Sequence, residues 1–168
     1  MQSFLTNTES FELTASNLDN KRLHKQTLEA WQCLLTMCKL DPEGNNREPK
    51  GWSAHPVVKM WRGHETLLVS YISATYFEWR GRGFKSTLLD KTNRTYEKAL
   101  ELGRVREELT VPRWMLDTAY YSELCSRHRT ALLCKNYTWY SQFGWAEDTG
   151  TAPETYAYLW PHQDGYVD

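Results

Sequence analysis

The stretch "NLDNKRLHKQTLEAWQCLL", Asn17 to Leu35, decides how this chain reads. Leu23, Thr27, Ala30, Trp31, Leu34, Leu35 and, just beyond, Cys38 recur at the three- and four-residue spacing of one buried helix face. Ser16 and Asn17 offer side-chain oxygens suited to capping its first turn. At about 100° per residue, Leu18, Arg22, Lys25, Gln26, Glu29 and Gln32 fall in the opposite sector. A lone carboxylate therefore stands among cations and amides. Two readings are open. Glu29 lies four residues after Lys25 and suits an ion pair on a solvated face, worth roughly 0.2–0.5 kcal/mol. Alternatively the cations bind phosphates, and Glu29 polarises a nucleophile or steers protons at a sugar.

Working outward, the turn-rich "LDPEGNNREPKGW" closes this helix. A second helix opens at Ser53 or Ala54, with Pro56 in its first turn, and runs to the "RGRGF" breaker; Gly63 is its weak point. From Ser86 to Leu109 the chain is polar, with one predicted helix around Tyr96 to Leu102. A third principal helix covers Thr118 to Cys134, basic toward its C-terminal end, where cations suit the dipole. No alternating run supports a strand. The expected class is mainly α: a compact single-domain helical fold over residues 1–168, with three principal helices and an irregular, aromatic-rich C-terminal tail.

With 40% apolar and 24% charged residues, the composition is that of a soluble globular protein. No apolar run is long enough to cross a bilayer, and "MQSFLTNTESFEL" lacks the basic and apolar regions of a signal peptide, so the cytoplasm is the expected compartment and no membrane partner is expected. Cys33, Cys38, Cys125 and Cys134 lack zinc-site pairing and read as buried thiols. No metal and no cofactor motif is visible. The net charge of −1 requires any polyanion-binding surface to be a local patch.

A second such patch is Arg127, His128, Arg129 and Lys135, crowded at one helix end without evident acids and suited to phosphate contact. His55, just before Pro56, is placed to cap the helix that Pro56 begins. Arg62, His64 and Glu65 read as a buried polar network. "RGRGFK", Arg80 to Lys85, either grips a phosphate or caps a helix C-terminus. Eight tryptophans and ten tyrosines suggest stacking surfaces or a tryptophan-rich core.

The segments "MQSF", "LDNKRLHKQTLEA", "HPVVKMWRGHE", "SRHRTALLCK", "YTWYSQFG" and "YLWP", in this order, resemble the pyrimidine-dimer DNA glycosylases with abasic-site lyase activity, the phage endonuclease V type and its longer bacterial relatives. The resemblance covers most of the chain apart from Ser86 to Leu109. It implies a compact, mostly helical fold and a catalytic glutamate matching Glu29. It also implies DNA contact by Arg22, Lys25 and Gln26, by His55, by the basic helix, and by Trp139 and Tyr140 in the aromatic segment. The partner implied is damaged double-stranded DNA, bound by a monomer in the cytoplasm of a bacterial or phage-infected cell. In this family the chain's first α-amine attacks the damaged nucleotide's sugar, which points to Met1. The arm before Glu29 is longer than in the short phage member. Lys21, Lys25 or a water near Glu29 is an alternative nucleophile. Another damaged pyrimidine as substrate, a non-catalytic nucleic-acid-binding module and a helical protein-interaction domain are the competing readings.

Overall fold

The structure is a computed structural model and describes residues 2–166. Helix accounts for 58% of it and no strand occurs among the described residues, which makes the class mainly α as expected. Eight α-helices follow one another: α1 Phe11–Asn17, α2 Asn20–Cys38, α3 Pro56–Trp61, α4 Glu65–Gly81, α5 Leu88–Glu101, α6 Arg113–Leu116, α7 Thr118–Lys135 and α8 Tyr137–Tyr140. The three longest are the three principal helices of the sequence.

Helix α2 is central, packing against α3, α4 and α5. Leu23, Ala30, Trp31, Leu34, Leu35 and Cys38 are all buried, as their spacing predicts. Removing a side chain such as Leu34 from water contributes about 1.5–3 kcal/mol. The helix starts later than Ser16 or Asn17. Leu18 is extended and fully buried, and the Asp19 carboxylate accepts from the Arg22 backbone N–H as the N-cap. Ser16 and Asn17 instead close α1, a short helix that the sequence did not signal.

The predicted second helix is broken into α3 and α4. Gly63 adopts φ 85°, in the left-handed region open to glycine, and Glu65 Oε1 accepts from its backbone N–H. Arg62, His64 and Glu65 consequently serve the break rather than one buried network: Arg62 is exposed and donates to the Ser53 carbonyl, and His64 Nδ1 lies 2.8 Å from Thr110 Oγ1. Helix α5 begins two turns before Tyr96. Its buried stripe is Leu88, Thr92, Thr95 and Ala99, so threonines occupy positions where apolar periodicity would be sought.

At the end of α4, Gly83 takes φ 86° and donates to the Arg80 carbonyl, the capping alternative for "RGRGFK". Arg82 turns inward rather than toward a phosphate. Its guanidinium donates to the Leu18 and Ser16 carbonyls and pairs with Glu78 at 2.8 Å, placing a cation at the C-terminus of α1. Two apolar clusters result. The larger joins α2, α3, α4 and α7; the smaller gathers Phe4, Leu18, Leu23, Leu132 and Tyr140, with Trp79, Trp139, Trp145 and Tyr158 packed against it. Most of the aromatic excess is therefore core. No disulfide links the cysteines, and Cys33, Cys38 and Cys125 are buried.

Candidate functional site

Residues 2–6 form an extended arm, buried from end to end and held by side chains from distant elements. The Phe4 N–H donates to Gln26 Oε1 at 2.7 Å, and its carbonyl accepts from the Tyr71 hydroxyl at 2.9 Å. The Leu5 N–H donates to His128 Nδ1 at 3.0 Å, and the Thr6 carbonyl accepts from Arg129 at 2.8 Å. Trp61 Nε1 donates to Ser3 Oγ at 2.9 Å. Backbone groups inside a protein must find partners. Here they find them on α2, α3, α4 and α7 together, which fixes the arm's register.

The arm leads Gln2 and Phe4 to a cavity of about 370 Å³. Lys21, Arg22, Lys25, Gln26 and Glu29 line it from α2, Lys135 from the end of α7, and Tyr156 and Tyr158 from the tail. The Glu29 side chain is 14% exposed and lies 3.5 Å from the ammonium of Lys25, which is 63% exposed. The ion pair of the simpler reading is therefore present, yet its acidic member also lines an open-mouthed cationic cavity. Met1 falls outside the described residues.

The other expected site residues separate into those at the cavity and those elsewhere. Arg22 is at the rim, its side chain 16% exposed; it pairs with Asp19 and donates to the Lys135 carbonyl. Gln26 borders the cavity but is buried, its Oε1 also accepting from the Tyr71 hydroxyl at 2.8 Å. Its amide oxygen holds the arm, so the expected place on an exposed DNA-gripping face is corrected. Lys135 is exposed and donates to the Tyr156 hydroxyl.

The α7 cluster is a larger correction. His128 is fully buried; burial pushes its pKa down to about 3, and the neutral ring accepts from the arm instead of meeting phosphate. Arg129 is bidentate to Glu147, at 2.6 and 2.8 Å, and Arg127 pairs with Glu123 at 2.8 Å. The acids that the local sequence lacked come from one turn back and from the chain beyond α8. Burial raises the Glu147 carboxyl, and the bonds from Arg129 and Ser126 outweigh it and hold the pKa below its ordinary value.

Trp139 and Tyr140 are corrected in the same way. Tyr140 is fully buried, its hydroxyl accepting from the Asp19 N–H, and partly buried Trp139 donates to the Asn17 carbonyl at 2.9 Å. They fasten α8 across the junction of α1 and α2. Of the two roles open to His55, the structure displays the cap: Nδ1 accepts from the Val57 N–H at 3.2 Å, and the ring stacks on Trp52.

Sequence reasoning missed Gln2, Phe4, Tyr156 and Tyr158 as lining residues. The only local signal was the pair of tyrosines two apart in "ETYAYLWP", a spacing that puts both side chains on one side of an extended chain. Among the described residues no group of three or more His, Cys, Asp or Glu is placed to hold a metal ion, and no helix is long and apolar enough to cross a membrane.

A carboxylate inside a cavity rimmed by four cations, in a helical protein of low net charge, defines a site for a polyanion on which acid–base chemistry can act. A family model described as pyrimidine dimer DNA glycosylase matches residues 1–92, more than half of the chain, and the chain belongs to that family. Membership carries DNA glycosylase activity and damaged DNA as its partner. Comparison with curated proteins and with solved structures gave no significant match.

Proposed function

We propose that the cavity is the site where a pyrimidine dimer's glycosidic bond is cut, with Glu29 as the catalytic carboxylate and the Met1 α-amine as the nucleophile. The observation that carries this reading is the convergence of two features at one place. The clamped arm brings Gln2, the residue next to the chain's first, to the cavity wall, and Glu29 lines the same cavity with its side chain 14% exposed. An α-amine has a pKa of roughly 8, so a useful fraction is neutral and nucleophilic in the cell.

In this reading the amine attacks C1′ of one nucleotide of the dimer and its glycosidic bond breaks; the detached pyrimidine stays joined through the cyclobutane ring to its neighbour. Glu29 stabilises the positive charge growing at the sugar and handles the protons as the ring opens to an imine, from which β-elimination cuts the strand. Lys21, Lys25 and Lys135 hold the phosphates on either side, and Arg22, paired with Asp19 and bonded to the Lys135 carbonyl, fixes the rim between them. A damaged nucleotide must leave the stack to reach such a cavity, and damage lowers that cost because its pairing and stacking are already weakened. Both the family-matched residues and the chain beyond residue 92 line the cavity, which supports a single catalytic domain that includes both; we take it to act as a monomer in the cytoplasm.

The test is borohydride trapping on a duplex carrying one cyclobutane thymine dimer. A covalent species mapped by mass to the Met1 amine is the expected result. A crosslink at Lys21 or Lys25 would move the nucleophile to that lysine. An alkali-labile abasic site at the dimer without any crosslink would make water the nucleophile and remove the lyase step.

A further inference from the structure

One wall of the cavity has no part in the chemistry above. Tyr156 and Tyr158 both line it beside Lys135, and all three lie beyond the family-matched residues. The Lys135 ammonium donates to the Tyr156 hydroxyl and sits 4.2 Å from the centre of its ring. The Tyr156 and Tyr158 rings are 5.1 Å apart. A phenol oxygen has two acceptor sites and one proton. The ammonium occupies one acceptor site and takes no proton, so the Tyr156 O–H remains a donor at the cavity wall.

We propose that Tyr156 is the acid that protonates the departing pyrimidine, opposite Glu29, which serves the sugar. This rests on the reading of the cavity as the glycosylase site. The N1–C1′ bond breaks, and its electron pair passes to N1 and on to the O2 carbonyl. The Tyr156 proton moves to that oxygen. C1′ gains its new bond from the incoming amine or water, whose surplus proton passes to Glu29. The phenolate left behind is held by Lys135 and regains a proton from solvent. The hydrogen bond from Lys135 already draws the Tyr156 pKa below its ordinary value, which brings its acidity closer to what the leaving anion requires. The other charged or titratable groups around it are Tyr158 and Cys134 on its own side and Lys21, Arg22, Lys25 and Glu29 across the cavity.

The experiment measures single-turnover cleavage of the glycosidic bond in a thymine-dimer duplex, scored as strand breaks at the dimer after alkali, from about pH 6 to 10, for the full-length wild type, Tyr156→Phe and Lys135→Met, with duplex affinity measured in parallel. Tyr156→Phe is expected to cleave that bond roughly 10- to 100-fold more slowly, with affinity nearly unchanged. The wild-type rate falls on the alkaline side as Tyr156 loses its proton. Tyr156→Phe lacks that fall, and Lys135→Met moves it to higher pH because the ammonium favouring the phenolate is gone. Wild-type rates in Tyr156→Phe, a loss matched by lost binding, or an unchanged alkaline fall would each overturn the proposal. Wild-type protein that leaves no alkali-labile site at the dimer would instead overturn the reading of the cavity itself, a failure visible before any variant is made.

Discussion

The basic face of α2 and the basic end of α7 look alike as strings of letters and differ in what stands opposite them. On α2, Lys25 and Lys21 border open space, and Glu29 is the only acid among the residues lining the cavity. On α7, Arg129 is locked to Glu147, Arg127 to Glu123, and His128 lies under the arm. Cation density therefore does not identify a binding face. What identifies it is whether the cations are already satisfied by the protein's own acids and carbonyls.

The largest effect that would sharpen this contrast is on catalysis. Glu29→Gln keeps the shape of the cavity and removes its carboxylate, so cleavage of the glycosidic bond is expected to slow by about 10²–10⁴-fold, the range for a positioned acid–base group, with damaged-duplex binding retained. Equal turnover in the variant would turn α2 into a binding surface only.

The next effect is on stability. Arg129→Met leaves Glu147 without its bidentate partner and the Thr6 carbonyl without a donor. Because the pair keeps some solvent contact, the expected loss is about 2–3 kcal/mol in denaturant unfolding, below the cost for a fully buried pair. The sign with pH follows from the depressed carboxyl. The pair's contribution is fully present above the ordinary Glu147 value of 4.5 and disappears as pH falls through the lower folded value. The variant and the wild type should therefore converge in acid. Stability unchanged at neutral pH would put Arg129 back among the candidate phosphate ligands.

The smallest effect is on affinity. Lys21→Met and Lys25→Met should each leave stability unaltered while reducing the slope of log affinity against log salt by about one. Arg127→Met, on the other cluster, should leave that slope unchanged. The opposite ordering would break the comparison.

How much was legible before folding differs by residue. The apolar stripe of α2 and the isolation of Glu29 are local patterns, repeated every three or four residues, and the sequence displays them fully. The break at Gly63 was visible as a weakness, though not as a turn, because glycine tolerates a helix as well as the left-handed backbone it adopts. Helix α5 was half hidden, since Thr92 and Thr95 are buried with their hydroxyls bonded to the Leu88 and Lys91 carbonyls. Gln26 was misplaced for a reason that no helical wheel contains. The arm and Tyr71 cover that part of the sector, while Lys25 and Glu29 stay uncovered.

The sequence by itself determined the helical class, the central helix and its buried face, and the position of the one acid in a cationic sector. All of these follow from interactions within a few residues. Only the tertiary structure decided which cations are open, that His128 and Tyr140 are interior, and that Tyr156 and Tyr158 return to face Glu29. Those outcomes depend on hydrogen bonds and ion pairs between residues as far apart as Leu5 and His128, or Arg129 and Glu147. Burial and pairing across such separations obey no fixed spacing, so they exist only once the chain has folded.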